Sequence, residues 1–307
     1  MAMNTAAKLQ KLFDKRLSKV FDGSDFKAIK KTIPELYNVI GDDSAFTEYW
    51  SVSGLPDLQE FNGKIPYVGY EPGYSVKIEP KEFALGTVTE RKLLDDKQFG
   101  VLDDRARDLA DATDRYMEKV AVRPFAYAFS SAFDFMQSEE GVSLASSSHT
   151  TKASGVSTTS GFGNAGTSAM SKTSVAATRI LMRKFRDMLG ERIDMEPDTI
   201  ICPDNLVDKA MEIVGTEKGL DSAEGTINVQ HGRYKIIPLM RWDDVDTNDW
   251  AMVDYKKMKK FLMWINRIKP EFKTTVDFET YAVKNAVYAR FGNGFRDWRW
   301  CYFHQVT

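Results

Sequence analysis

The spacing of hydrophobic and polar positions changes along the chain, and each spacing predicts an element. Near the start, Leu9, Leu12, Phe13, Leu17, Val20 and Phe21 recur every three or four residues and share one helical face. Lys8, Lys11, Lys15, Arg16 and Lys19 occupy the remainder, and Gly23 is a stop signal. From Lys8 to Lys31, eight bases stand against three acids. A membrane-surface or polyanion-binding helix fits that excess. A helix docking its apolar face on protein fits better, because Asp14, Asp22 and Asp25 interrupt the basic run. Residues 34–66 mix Tyr37, Phe46, Tyr49, Trp50 and Phe61 with prolines and glycines, which predicts an irregular stretch laid over a surface.

The period then drops to two. Tyr74, Val76 and Ile78, then Phe83, Leu85 and Thr87, flank Pro80-Lys81-Glu82 and predict a β-hairpin. A two-stranded hairpin has little stability alone and needs support from its own domain or another subunit. A long helix follows over Phe99–Val122, with Leu102, Ala106, Leu109, Thr113, Tyr116, Met117 and Val120 inward and an Asp111–Arg115 pair outward. Pro124 kinks or ends it, and Phe125, Phe129, Phe133 and Phe135 continue as a buried segment. Serine, threonine, glycine and alanine dominate 143–174, a composition that predicts a long exposed loop. Further elements are a helix over Val175–Leu189, a buried strand Thr199–Cys202, a helix Asn205–Val214 and a strand at Ile236–Met240. Two long C-terminal strands are expected from Phe272/Thr274/Val276/Phe278 and Val287/Ala289/Phe291. Gly292-Asn293-Gly294 reads as a turn before a last strand through Trp298, Trp300 and Tyr302.

Composition narrows the class. The 307 residues are 43% hydrophobic and 28% charged, which describes a folded chain of about two domains or one large one. The net charge of −2 argues against a dedicated nucleic-acid binder. Mean hydropathy is −0.38. No apolar run approaches a membrane span and no signal peptide precedes the first helix. Two scattered cysteines, Cys202 and Cys301, read as reduced buried thiols in a reducing compartment.

Candidate chemistry is thin. Gly161, Gly163 and Gly166 have dinucleotide-loop spacing, but Ser154–Ser160 is no apolar strand, so a flexible loop is the better reading. His149, His231 and His304 lack the spacing of a zinc helix and read as structural or surface residues. Asp243, Asp244, Asp246 and Asp249 lack the glycine and final glutamate of a calcium loop. The basic run Lys256–Lys260 reads as a solvated stretch entering a buried strand. No catalytic constellation, metal site or cofactor is expected.

The order of parts is more informative: a basic arm, a charged hairpin, a long helix, an α/β region and long C-terminal strands. It resembles the major capsid protein of tailed bacteriophages, the Hong Kong 97 fold. The stretch from Lys81-Glu82-Phe83 through Thr89-Glu90-Arg91-Lys92 to Gly100 is similar to that of Mu-like major head subunits. So are Ser148-His149-Thr150, Pro197–Pro203 and the tail Tyr288–Arg299. The resemblance implies an α+β fold whose parts are an N-arm (1–61), an E-loop hairpin (62–98), a spine helix (99–138) and a loop and helix (139–192). An A-domain (193–262) and C-terminal P-domain strands (263–307) complete it. It further implies self-assembly into hexamers and pentamers of an icosahedral shell around double-stranded DNA, without sequence-specific binding, membrane or enzymatic activity. Scaffold, portal and decoration proteins would be partners, and the virion the location, after assembly in the bacterial cytoplasm. The expected interface residues are Lys77, Glu79, Lys81, Glu82, Glu90, Arg91, Lys92, Leu9, Leu12, Phe13 and Leu17. Two alternatives are an encapsulin-type protein nanocompartment, disfavoured by the long N-arm, and a cytoplasmic enzyme using the 161–166 glycine loop.

Overall fold

A 28-residue helix, Phe99–Ala126 (α3), lies across a four-stranded sheet and ends against a five-stranded one. The computed structural model describes residues 15–23, 32–215 and 227–307, apart from 53, 59, 62, 64, 66, 68, 71, 91, 93–95, 97, 98 and 278. Helical residues 15–22 (α1) pack on α3: Leu17 is buried with Leu102 and Ala106, and Phe21 with Leu109, Ala110 and Val287. Arg16 adds an ion pair to Asp103 at 2.7 Å. The described part of the amphipathic face, Leu17 and Phe21, is thus covered within the chain, mainly by its long helix. A short helix, Thr32–Leu36 (α2), follows and buries Ile33 and Leu36.

The four-stranded sheet has the order β1-β9-β10-β4. Its strands are Asn38–Gly41 (β1), Lys81–Thr89 (β4), Leu262–Val276 (β9) and Val283–Phe295 (β10). The separate hairpin is Thr47–Val52 (β2) with Pro72–Ile78 (β3), in register Thr47↔Ile78 to Trp50↔Ser75. This corrects the expected hairpin. The strands on either side of Pro80 do not pair with each other: β3 pairs with β2, and β4 runs beside β10 from Lys81↔Phe291 to Thr89↔Val283. Alternation reports which face is buried, not which strand lies alongside. The irregular stretch of 34–66 likewise supplies α2, the edge strand β1 and half of this hairpin.

The five-stranded sheet has the order β5-β11-β8-β6-β7. It joins Ala165–Gly166 (β5), Thr199–Cys202 (β6), Lys235–Pro238 (β7), Trp250–Val253 (β8) and Cys301–His304 (β11). Every residue of β6, β8 and β11 is buried. Helices Lys172–Met182 (α4) and Val207–Gly215 (α5) accompany this sheet, and Tyr255–Phe261 (α6) packs against β9 and β1 of the four-stranded one. Phe125, at the end of α3, lies 6.0 Å from Trp300 and 6.2 Å from Phe303 and Trp242, so one aromatic core joins α3 to the sheet. The last strand therefore leaves the long C-terminal pair and completes the other sheet, rather than extending it.

Four further expectations are corrected. The connection between β9 and β10 spans 277–282, and Gly292-Asn293-Gly294 lie inside β10. A Cβ on Gly294 would sit 2.9 Å from the Ile78 side chain, and one on Gly292 3.1 Å from Pro80. These glycines let the β3–β4 corner cross the strand closely. Asn293 between them donates to Val120 O at 3.2 Å and Tyr37 Oη at 3.3 Å, tying β10 to α3. The helix expected to Leu189 stops at Met182, and Ile180 and Leu181 face solvent. Asp111 and Arg115 form no ion pair; the outer face of α3 instead carries Arg107–Asp104 at 2.9 Å.

The fourth correction concerns 143–174, which is ordered and partly buried: Leu144, Ala145, His149, Phe162, Asn164 and Met170 belong to the interior. Hydrogen bonds replace apolar mass here. His149 stacks on Trp298 at 4.1 Å, with Glu140 at one ring nitrogen and Asn164 Oδ1 at the other. Asn164 Nδ2 donates to Leu144 O at 2.8 Å.

Candidate assembly surface

The β2–β3 hairpin is held at its base and bare towards its connection. Lys77 N donates to Gln137 O at 3.1 Å and Glu139 N to Ser75 O at 2.9 Å, fixing β3 to the segment after α3. Ser75 N also donates to the Glu139 carboxylate, which pairs with Lys152 at 2.6 Å. One face of β3 packs Val76 and Ile78 against Met263 and Ile265. The connection from β2 to β3 exposes Leu55, Leu58, Phe61, Ile65, Tyr67 and Tyr70, with Leu58 fully and Tyr67 90% accessible. Trp50, on β2, is 58% accessible. So many large apolar groups in water within one segment are the composition of a candidate protein-binding surface.

Sequence reasoning names Tyr37, Phe46, Tyr49, Trp50 and Phe61 and expects this stretch to lie over a surface that it helps cover; of the five only Tyr37 is buried within the chain. Their lack of period was the available signal, because a segment with no buried face of its own leaves its apolar groups for a partner.

The expected interface residues scatter. Lys77 lies 3.8 Å from Glu79 and 4.2 Å above the Phe46 ring. Lys81 reaches Asp134 at 3.2 Å, an acid shared with Arg123 at 3.7 Å. Glu82 lies 3.6 Å from Arg290. These pairs staple the β3–β4 corner to the segment after α3 and to β10 within one chain, and as exposed pairs each is worth under about 1 kcal/mol. Glu90 and Lys92 are exposed. Leu17 is buried within the chain, so it offers nothing to a neighbour. Leu9, Leu12, Phe13 and Arg91 lie outside the described residues, as does Phe278. A second set of exposed apolar residues, Met211, Ile227, Val229 and Met240, lies around α5 and β7.

The glycine loop is packed rather than open. Phe162 and Asn164 are buried, and Gly161, at φ +81, would place a Cβ 2.5 Å from Lys184 O. Gly161→Ala is therefore expected to cost about 2–4 kcal/mol, read as a lowered thermal midpoint; an unchanged midpoint would mean the segment is loose. No cluster of three metal-ligating side chains occurs among the described residues. Burial pushes the Cys202 thiol up to about 12 and Cys301 well above its usual range, so neither is a ready nucleophile.

His304 is a buried neutral ring with a defined tautomer. Its Nδ1 accepts from Ser168 N at 3.1 Å, so Nε2 carries the proton and donates to Thr178 Oγ1 at 2.8 Å. Burial lowers its pKa to about 4. The unfolded chain then binds this proton first, near pH 6.5. Stability contributed by the neutral ring is full above that pH and is lost as pH falls from about 6.5 to 4, by at most about 3 kcal/mol. Urea unfolding across that window checks it: His304→Gln should flatten the slope, and an equal slope in both proteins contradicts the assignment.

Comparison with known proteins supplies the context. A family profile described as phage capsid protein matches residues 74–303, three quarters of the chain. No curated protein matches the sequence. Among solved structures, the mature capsid of bacteriophage PhiM1 is similar with a TM-score of 0.58 and 10% identity, covering 91% of this chain and 87% of that one. The capsid of a native GTA particle gives 0.55 and 12%, covering 91% and 93%. The capsid of bacteriophage JBD30, decorated with minor capsid protein trimers, gives 0.51 and 16%, covering 70% and 92%. At such identities the likeness is one of fold, the Hong Kong 97 architecture.

Proposed function

The chain belongs to the phage capsid protein family and is a shell-forming subunit, and on that premise we propose how its copies meet and what they enclose. Subunits join as hexamers and pentamers of an icosahedral head around double-stranded DNA. The β2–β3 hairpin reaches over a neighbouring subunit and buries Leu55, Leu58 and Phe61 there. The bare apolar segment between two strands whose base is fixed carries this reading. The exposed set near α5 and β7 meets its counterparts around the capsomer centre. Assembly takes place in the bacterial cytoplasm with scaffold and portal proteins. A decoration protein is a further expected partner, since the capsid of bacteriophage JBD30 carries one.

An encapsulin-type nanocompartment is not favoured by the family match. The nucleotide-loop alternative loses its support because Phe162 and Asn164 are buried and Gly161, Gly163 and Gly166 are closely packed by the chain itself. Sedimentation of the purified chain tests the proposal: fast-sedimenting particles or capsomers are expected, and a lone 34.8 kDa species at all concentrations would refute it.

A further inference from the structure

Two parts of this chain are left open in complementary ways. The first is a groove between α3 and the four-stranded sheet, lined by Phe83 of β4, Val287 and Phe291 of β10 and Tyr116 of α3. Phe83 stacks on Phe291 at 4.6 Å and meets the Tyr116 ring at 5.1 Å, which holds the apolar surface in place. Two cations also line it, Arg115 and Lys119, exposed and one turn apart on α3. No acid does: Asp108 and Asp111, on the preceding turns of α3, are not part of the lining. Among the described residues neither cation has an ion-pair partner.

The groove opens beside a free strand edge. β4 is an outer strand of its sheet, and it exposes Leu85 and Val88. Such edges are ordinarily guarded by charge, by proline or by a cover. From Phe83 to Thr89 the strand holds neither charge nor proline, which leaves a cover.

The second part is the connection from β2 to β3. Leu55, Leu58 and Phe61 recur there every third residue and are exposed, with Asp57 and Glu60 exposed among them. From Gly54 to Gly63 there are two acids and no base. None of the described residues of this stretch lines the groove in its own subunit. One chain therefore carries a basic apolar groove and an acidic apolar segment that do not meet within it. A second apolar groove, between α2, α3 and β7, is a poorer host, because Glu35, Asp114 and Glu118 line it against Arg241 alone.

We propose that Leu55, Leu58 and Phe61 of one subunit enter the groove between α3 and β4 of a neighbouring copy, with Asp57 and Glu60 opposite Arg115 and Lys119. The inference rests on the reading that the hairpin crosses to a neighbour, and it names the surface that receives it. Apolar burial supplies the attraction, and the opposed charges set the register and exclude wrong partners. Groove and segment are different patches of one chain, so the contact is head-to-tail. Contacts of that kind build rings when the rotation between copies closes.

The test is a charge exchange, with particle yield read by sedimentation and electron microscopy and folding by circular dichroism. R115E/K119E and D57K/E60K each place like charges across the contact and should lower the yield about tenfold or more. The combined variant R115E/K119E/D57K/E60K restores opposite signs and should return the yield to within about threefold of the parent. A folded reversal that assembles as the parent does, or a folded combined variant that still forms no particles, overturns the pairing. If a reversed protein does not fold, R115Q/K119Q and D57N/E60N serve instead. Each should lower the yield, and the two together should lower it no further than either alone, because the pair is already broken; losses that multiply overturn the pairing. Absence of particles from every protein, the parent included, would instead overturn the shell reading.

Discussion

Replacing Leu55, Leu58 and Phe61 together by serine is expected to abolish shell formation and leave the subunit folded. The three side chains are 56%, 103% and 69% accessible, so the isolated subunit gives up only a minor part of its buried surface when they are removed. An interface anchor of this size contributes about 2 kcal/mol or more, roughly thirtyfold in the equilibrium for each contact. A shell multiplies that loss over every subunit. Electron microscopy should show no particles, while circular dichroism and the thermal midpoint match the parent. Particles in normal yield would mean that this segment is not an inter-subunit surface. A fall in the midpoint would mean that it packs on its own subunit.

The second large effect lies in the core. Trp264 on β9 is fully buried, stacked on Phe291 at 5.1 Å and edge-on to Tyr37 at 5.5 Å, with Nε1 donating to Asn266 Oδ1 at 2.8 Å. Tyr37 in turn donates to Ala121 O at 2.6 Å. One indole therefore joins β9, β10, the segment after α2 and α3. Trp264→Ala is expected to cost about 3–5 kcal/mol, because the surrounding strands are hydrogen-bonded and cannot collapse into the space. The thermal midpoint should fall by about 10 °C. A fall of only a degree or two would show that this junction is not the centre of the fold.

These two outcomes also divide what the sequence makes legible from what it does not. The inward stripe of α3, with Leu102, Ala106, Leu109 and Val120, is written in its period and is buried as expected. Thr199–Cys202, short and apolar throughout, reads as a buried strand because both faces are covered. Pairing is another matter. β3 and β4 both alternate, yet the choice of β2 and β10 as their neighbours depends on contacts distant in sequence. Gly292 and Gly294 look like a turn because local rules read glycine as freedom, whereas here it provides room for a crossing chain. The 143–174 segment looks like an exposed loop because it lacks apolar mass, and it is held by His149, Asn164 and their hydrogen bonds. The proposed assembly surface differs from the one expected from the sequence for a related reason. Charges on alternating strands suggested contacts between subunits, but Lys81 and Glu82 find partners in their own chain. The bare apolar groups at 55–70 are the ones left over.

The most direct measurement is electron microscopy of the purified full-length chain at a resolution that traces the backbone. The account predicts closed shells of fivefold and sixfold capsomers, with the 47–78 hairpin of each subunit lying on a neighbour and Leu58 out of contact with water. Uniform single subunits, or shells in which that hairpin touches only its own chain, would contradict it.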